Sequence, residues 1–281
     1  MDIGIGLPNM VPGTSGTEIL EWARRSEERG FSSLGTLDRL LYESYEPLTA
    51  LGAASAVTER IGLVTAVLLG PLRTNPVLFA KQALSVQALS GGRLTLGIGL
   101  GAREDDYEAS GVETRARGER FDHMLAHVTE AWESGQVGPS SAGAPQLLIG
   151  GQVGQAFARA ARFGDGWIAA ATGPDQFAEH APKARAAWSD AGRDGEPRLA
   201  AIAYYSLGER AEENARADLG HYYAWLGEEI AEMIISAAPK DPDAVRQNVA
   251  AYEEAGCDEL ILFPSASDPE QVDLLADAAG L

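Results

Sequence analysis

The sequence predicts an α/β fold, a single (β/α)8 barrel of the TIM type that spans residues 1–281 as one domain. Three observations lead there. Short apolar runs alternate with helical patterns along the whole chain, as repeated βα units around a parallel sheet require. Several of these runs, LTLGIGL and ELILF among them, are apolar on successive residues, which suits strands buried on both faces. A chain of 281 residues also matches the usual size of eight such units and leaves little for insertions.

Eight strands are expected, at residues 3–7, 33–36, 61–66, 94–98, 146–149, 166–169, 199–205 and 259–263. Helix starts are marked at Asn75-Pro76, Asp241-Pro242 and Asp268-Pro269. Each pairs an N-cap side chain with a proline at the first helical position, where no amide hydrogen is needed. Gly30, Gly91, Gly135 and Gly256 follow helical patterns and can take the left-handed conformation that ends a helix. In the helix at 120–133, Phe121, Met124, Leu125, Val128 and Trp132 form one apolar stripe, which is expected to face the barrel. Residues 210–239 lack a strand pattern and read as helical, with Tyr222, Tyr223, Trp225, Leu226, Ile230, Met233 and Ile234 as apolar content. This segment is expected to cap the barrel mouth or to form a subunit contact, as in a homodimer.

Composition excludes several classes of function. A net charge of -19 repels nucleic acid and anionic lipid, and no run approaches the ~20 apolar residues that span a bilayer. The opening MDIGIGLPN has no basic stretch before an apolar core, so a cytoplasmic location is expected. Cys257 is the single cysteine, which rules out an internal disulfide and a multi-cysteine metal cluster. It precedes a strand and reads as core. His123 and His127 have helical i, i+4 spacing but no glutamate between them, so no metal is expected there. None of Lys81, Lys183 and Lys240 closes a strand, which argues against Schiff-base chemistry. Arg103, Arg115, Arg117 and Arg120 crowd one segment of this acidic chain, either as solvated helix-end charge or as an anchor for an anionic ligand.

Active sites of such barrels lie at the C-terminal ends of the strands. There, IGGQVGQ places two glycines between a buried strand and a helix start. This pattern fits a tight strand-to-helix turn and also a phosphate site at helical amides. The run Thr65 to Gly101, TAVLLGPLRTNPVLFAKQALSVQALSGGRLTLGIGLG, resembles the third strand, helix and fourth strand of the bacterial luciferase-like family of FMN-dependent monooxygenases and F420-dependent oxidoreductases. LGTLDRL, IGGQVGQAFARAARFGDGW and AGCDELILFPSA resemble further strand regions of that family, so the likeness spans nearly the whole chain.

The resemblance implies a cofactor phosphate at Gly151, Gln152, Val153, Gly154 and Gln155. It implies a cofactor ring against a cis peptide between Ala66 and Val67, with Gly97, Gly99 and Gly101 making room for it. Two departures stand out. Asp38-Arg39 replaces the family's Asp-His, and Ala102 replaces an acidic residue of a sugar-phosphate dehydrogenase branch. Asp38 and Arg39 are the candidate catalytic residues, with an Asp-Arg surface pair as the other account. Tyr42, Tyr45, Tyr107 and Trp225 are candidate pocket walls or ordinary core. The short GQVGPSSAGAP stands where the family has a small hairpin, which predicts a more open mouth. The expected activity is F420-dependent reduction of a small organic substrate. The alternatives are an FMN-dependent monooxygenase, a non-catalytic flavin-binding barrel and a barrel without cofactor.

Overall fold

Eight parallel strands hydrogen-bond in chain order and close into a barrel in a computed structural model that describes residues 1–281. The strands are β1 (Asp2–Gly6), β2 (Ser33–Thr36), β3 (Gly62–Leu69), β4 (Leu94–Gly99), β5 (Gln146–Gly150), β6 (Gly166–Ala169), β7 (Arg198–Tyr205) and β8 (Glu259–Pro264). The helices are α1 (Gly16–Glu28), α2 (Pro47–Ser55), α3 (Pro76–Leu89), α4 (Glu104–Ala109), α5 (Arg117–Glu133), α6 (Gly154–Phe163), α7 (Pro174–Asp190), α8 (Ala211–Tyr223), α9 (Glu228–Ala237), α10 (Pro242–Glu254) and α11 (Glu270–Ala279). No helix is long and apolar enough to cross a membrane.

Each strand sends alternate side chains to two apolar layers, as the period of two demands. Val64, Leu148, Ile168, Ile202, Ile261 and Phe263 fill the barrel, while Leu63, Leu96, Ile149, Trp167 and Leu260 meet the helices. Glycines adjust the inner layer: a Cβ on Gly6 would lie 2.2 Å from the Phe263 ring, so that ring occupies the space the glycine leaves. Phe121, Met124, Leu125 and Val128 are buried, and Trp132 donates from Nε1 to the Ala80 carbonyl at 3.2 Å, so the α5 stripe faces the barrel as expected.

Asn75 accepts from the Leu78 amide at 3.0 Å and Asp241 from the Ala244 amide at 2.8 Å, which confirms both caps. At the third expected start the helix begins one residue late, at Glu270, because Pro269 itself is the cap and Asp268 accepts from the Glu270 amide at 2.9 Å. Gly30, Gly91, Gly135 and Gly256 all have φ between 66° and 87°.

Three expectations need correction. Strand β3 runs three residues past Ala66, because a register shift between Thr65 and Leu68 lets it continue beside β4. Residues 210–239 form two helices, parted by a 3-10 turn at Ala224–Leu226 and by Gly227 at φ 89°. The short segment before β5 does not open the mouth: it lies at the opposite end, where Gln87 Nε2 donates to the carbonyls of Ala142 and Ala144 at 3.5 and 3.4 Å.

Candidate active site

The C-terminal ends of β2, β3, β4, β6 and β7 surround a cleft that α8, the 3-10 turn and α9 cover from one side. Its deeper chamber, about 200 Å³, is bounded by Asp38, Arg39, Ala66, Val67, Tyr204 and Tyr223 among others. A wider apolar chamber of about 520 Å³ continues from Ala102, Ala170 and Trp225 outward to Gln152, Thr172 and Gln176. The two share Ala102, Ala170, Ala171, Tyr204, Tyr223 and Trp225, and so form one cleft.

The β3 wall contains a cis peptide between Ala66 and Val67. Gly99 does not line the cleft: its missing Cβ leaves the place that Val67 occupies, with Val67 Cγ2 3.0 Å from where that Cβ would stand. Gly97 is needed for backbone packing, since its Cβ would lie 2.0 Å from the Thr65 carbonyl oxygen. Gly101 has φ 72° and turns the chain from β4 into the cleft wall.

Asp38 and Arg39 are both buried and are paired with different partners, so they form neither a surface pair nor a dyad with each other. Asp38 accepts from the Leu69 amide at 2.9 Å and from Arg73 at 2.7 Å, which ties the end of β2 to the end of β3. Burial raises the Asp38 carboxyl's pKa against the opposing pull of Arg73 and that amide. Arg39 bonds Asp106 at 2.5 Å and Asp105 at 3.2 Å, and Asp106 also accepts from the Leu40 and Leu41 amides at 3.1 and 2.9 Å. The guanidinium lies against the rings of Tyr42 and Tyr222, with its carbon 5.7 and 5.8 Å from their centroids. Its Nη1 has no hydrogen-bond partner.

The four arginines singled out by sequence separate in space by role. Arg103 is held by Asp105 at 2.6 Å and lies over the Trp225 ring, and its hydrogen bond holds the Asp105 carboxyl down at about 2. Arg120 bonds the carbonyls of Glu113 and Arg115, so it ties its own loop. Arg115 and Arg117 make no side-chain hydrogen bond or ion pair.

At the end of β5, Gly151 has φ 139° and Val153 is the extended residue that caps α6 without a side-chain bond. The amides of Gly151, Gln152, Val153, Gly154 and Gln155 donate to no protein acceptor; the first bonded amide is that of Ala156. Val153 is exposed, and a Cβ at Gly154 would meet nothing within 4 Å. Unpartnered N–H groups at a helix N-terminus attract an anion through both hydrogen bonds and the helix dipole. The Gln152 side chain reaches Thr172 at 3.1 Å and Gln176 at 3.3 Å, which joins this turn to the outer chamber.

Of the expected wall residues, Tyr107 and Trp225 line the deep chamber. Tyr42 instead bonds His221 at 3.0 Å, and Tyr45 donates to the Thr14 carbonyl at 2.9 Å. Arg73, Asp106, Tyr204, Tyr222 and Tyr223 also line or brace the cleft and were not singled out as site residues. Tyr204, the next-to-last residue of a barrel strand's apolar run, carries a usable signal.

The sequence profile of the luciferase-like monooxygenase family matches residues 1–272. The chain belongs to this family. Among curated relatives of this luciferase-like barrel, an uncharacterized protein of Mycobacterium tuberculosis is 33% identical over 173 residues, 56% of this chain and 61% of that protein. The match thus spans less than two thirds of that relative's length. The F420-dependent glucose-6-phosphate dehydrogenase of Amycolatopsis mediterranei is 30% identical over 129 residues, 43% of this chain and 39% of that one. Among solved structures, an F420-dependent secondary alcohol dehydrogenase superimposes with a TM-score of 0.81 at 18% identity, covering 99% of both chains. The FMN-bound 3,6-diketocamphane monooxygenase component of Pseudomonas putida gives 0.74 at 16% identity, covering 98% of this chain and 96% of that one. These two superpositions establish the shared luciferase-like fold. Proteins of this fold thus include an F420-dependent dehydrogenase and an FMN-bound monooxygenase component.

Proposed function

We propose that this luciferase-like barrel is an oxidoreductase that uses coenzyme F420 to reduce a small organic substrate. The observation that carries the reading is one continuous apolar cleft whose outer end reaches Gln152, in a turn of five unpartnered amides. The residues fit a phosphate-bearing cofactor with a planar ring. Gly151 to Gln155 would hold the phosphate, Gln152 with Thr172 and Gln176 would border the connecting chain, and Ala66 and Val67 would back the ring. Such a cofactor supplies the hydride when bound.

The protein's own residues supply position and dryness. Asp38 with Arg73 and Asp106 with Arg39 brace the segments after β2, β3 and β4, so the cleft floor stays rigid while its walls remain apolar. Asp38 and Arg39 thus act as supports whose charges are already matched. Arg115, in the segment before α5, and Arg117, its first residue, have no carboxylate partner and favour F420 over FMN because F420 carries an acidic tail and FMN does not.

The test is anaerobic incubation with reduced F420 and a panel of ketones, aldehydes, enones and imines, following recovery of the oxidised cofactor's visible absorbance. Turnover with at least one substrate is expected. Turnover with reduced FMN and oxygen, and none with F420, would instead establish a monooxygenase.

A further inference from the structure

The deep chamber contains a hydroxyl pair whose hydrogen bonds do not balance. Tyr204, at the end of β7, and Tyr223, at the end of α8, have their phenolic oxygens 2.7 Å apart. Each carries one proton, and one contact uses one of them. No other protein acceptor lies within hydrogen-bond distance of either oxygen, so one O–H is left over. Burial decides which. Tyr204 is 7% exposed, whereas Tyr223 is half-buried at the cleft wall, so the Tyr204 proton turns to Tyr223 and the Tyr223 proton turns to the cleft.

Several features keep this donor neutral and in place. Burial raises both phenols above their ordinary range, so neither ionises near neutrality. The Tyr222 ring meets Tyr223 edge-on at 4.8 Å, and the Tyr204 and Tyr223 rings cross at 77°. The cations around the chamber are matched in charge, Arg39 by Asp106, Arg73 by Asp38 and Arg103 by Asp105, although Arg39 Nη1 keeps its hydrogens unpartnered. A carboxylate or phosphate ester would find no free positive charge here. An uncharged acceptor on an apolar body would find the donor and walls such as Ala66, Val67, Ala171 and Ile202.

We propose that the Tyr223 hydroxyl, with Tyr204 as its positioning residue, donates a hydrogen bond to the carbonyl oxygen of an uncharged substrate in this chamber. The proposal rests on the oxidoreductase reading for the identity of the substrate as a carbonyl compound.

The test uses the chain without cofactor and the probe 4-dimethylaminocinnamaldehyde, whose absorption moves to the red when its carbonyl accepts a hydrogen bond. The wild-type protein is expected to bind it with a red shift. Tyr223→Phe should abolish the shift and weaken binding about 3-fold to 10-fold, the usual net worth of one hydrogen bond. Tyr204→Phe should leave a smaller shift, and the double variant should match Tyr223→Phe. The propenyl analogue that lacks the carbonyl should bind wild type and variants alike, which shows that the chamber is intact. The corresponding cinnamate should bind at least tenfold more weakly than the aldehyde. Should Tyr223→Phe not fold, Tyr223→Leu serves in its place. No probe binding to wild type, an unchanged shift in Tyr204→Phe/Tyr223→Phe, or cinnamate binding as tightly as the aldehyde overturns the proposal. Titrating F420 into the same proteins separates the two readings. A Tyr223-dependent shift without F420 binding sustains the donor site and removes the proposed function, and F420 binding with a Tyr-independent shift does the reverse.

Discussion

At the N-terminal end of the barrel, Glu259 is buried with every oxygen claimed: Ser32 at 2.6 Å, Ser33 at 2.7 Å and Arg198 at 2.6 Å. Arg93 nearby bonds Thr58, Ile61, Ser55 and Ser90 with its guanidinium. At the C-terminal end the same strands finish beside five unpartnered amides, a leftover tyrosine proton and apolar walls. Buried polar groups are normally satisfied within the protein. The N-terminal end satisfies its buried polar groups within the protein, whereas the amides of the C-terminal turn are open to solvent and free to meet a ligand.

Substitutions can break this contrast at four strengths. The largest effect is expected at Gly166, where a Cβ would lie 1.9 Å from the Arg198 carbonyl oxygen, a backbone atom that cannot move without parting β6 from β7. Gly166→Ala should cost more than about 4 kcal/mol, and soluble yield with a urea midpoint would show it. Next comes Arg198→Met, which leaves Glu259 buried with only its two serine partners. A loss of about 3 kcal/mol in urea unfolding is expected, with ligand binding at the far end unchanged once the protein is folded.

The third strength concerns Asp218 on α8, behind Tyr204 and Tyr222, where burial lifts the carboxyl to about 7. The folded chain then holds a proton that the unfolded chain, with an ordinary aspartate, has already released. Wild-type stability should therefore fall as pH rises from about 4 to about 7 by this contribution, and flatten above it. Asp218→Asn should remove that slope, measured as the difference between the two proteins' urea midpoints across the range. An identical pH dependence in both would show that Asp218 titrates normally.

The smallest effect on stability is expected at Gly154, the first residue of α6. Proline is well tolerated at that position, and the extended backbone of Val153 suits a residue before proline. Gly154→Pro should leave the melting temperature nearly unchanged while deleting one unpartnered amide. A charge-assisted hydrogen bond contributes about 1.5 to 3 kcal/mol, so phosphate-bearing ligands should bind tenfold more weakly or worse.

The barrel was legible because strand burial and helix capping are local. LTLGIGL reads as a doubly buried strand wherever it sits, and Asn75-Pro76 marks a helix start without reference to any neighbour. The turn at Gly151 to Gln155 was legible for the same reason. Spatial pairing was not. Asp38 and Arg39 are adjacent in sequence yet bond Arg73 and Asp106, and Tyr204 meets Tyr223 only because α8 folds back over β7. The four arginines near Arg103 looked like one cluster, but two of them are consumed by Asp105 and by loop carbonyls. The segment before β5 leads from a helix into a strand, so the barrel's own alternation puts it at the N-terminal end, and its shortness has no bearing on the mouth.

Under the proposed function, the amide turn at the C-terminal end holds F420, and the dissociation constants of F420 and FMN for the wild-type chain and for Gly154→Pro test it. Tighter binding of F420 than of FMN is expected, weakened tenfold or more by Gly154→Pro at unchanged stability. Tight FMN binding without F420 binding, or F420 binding indifferent to Gly154→Pro, would contradict it.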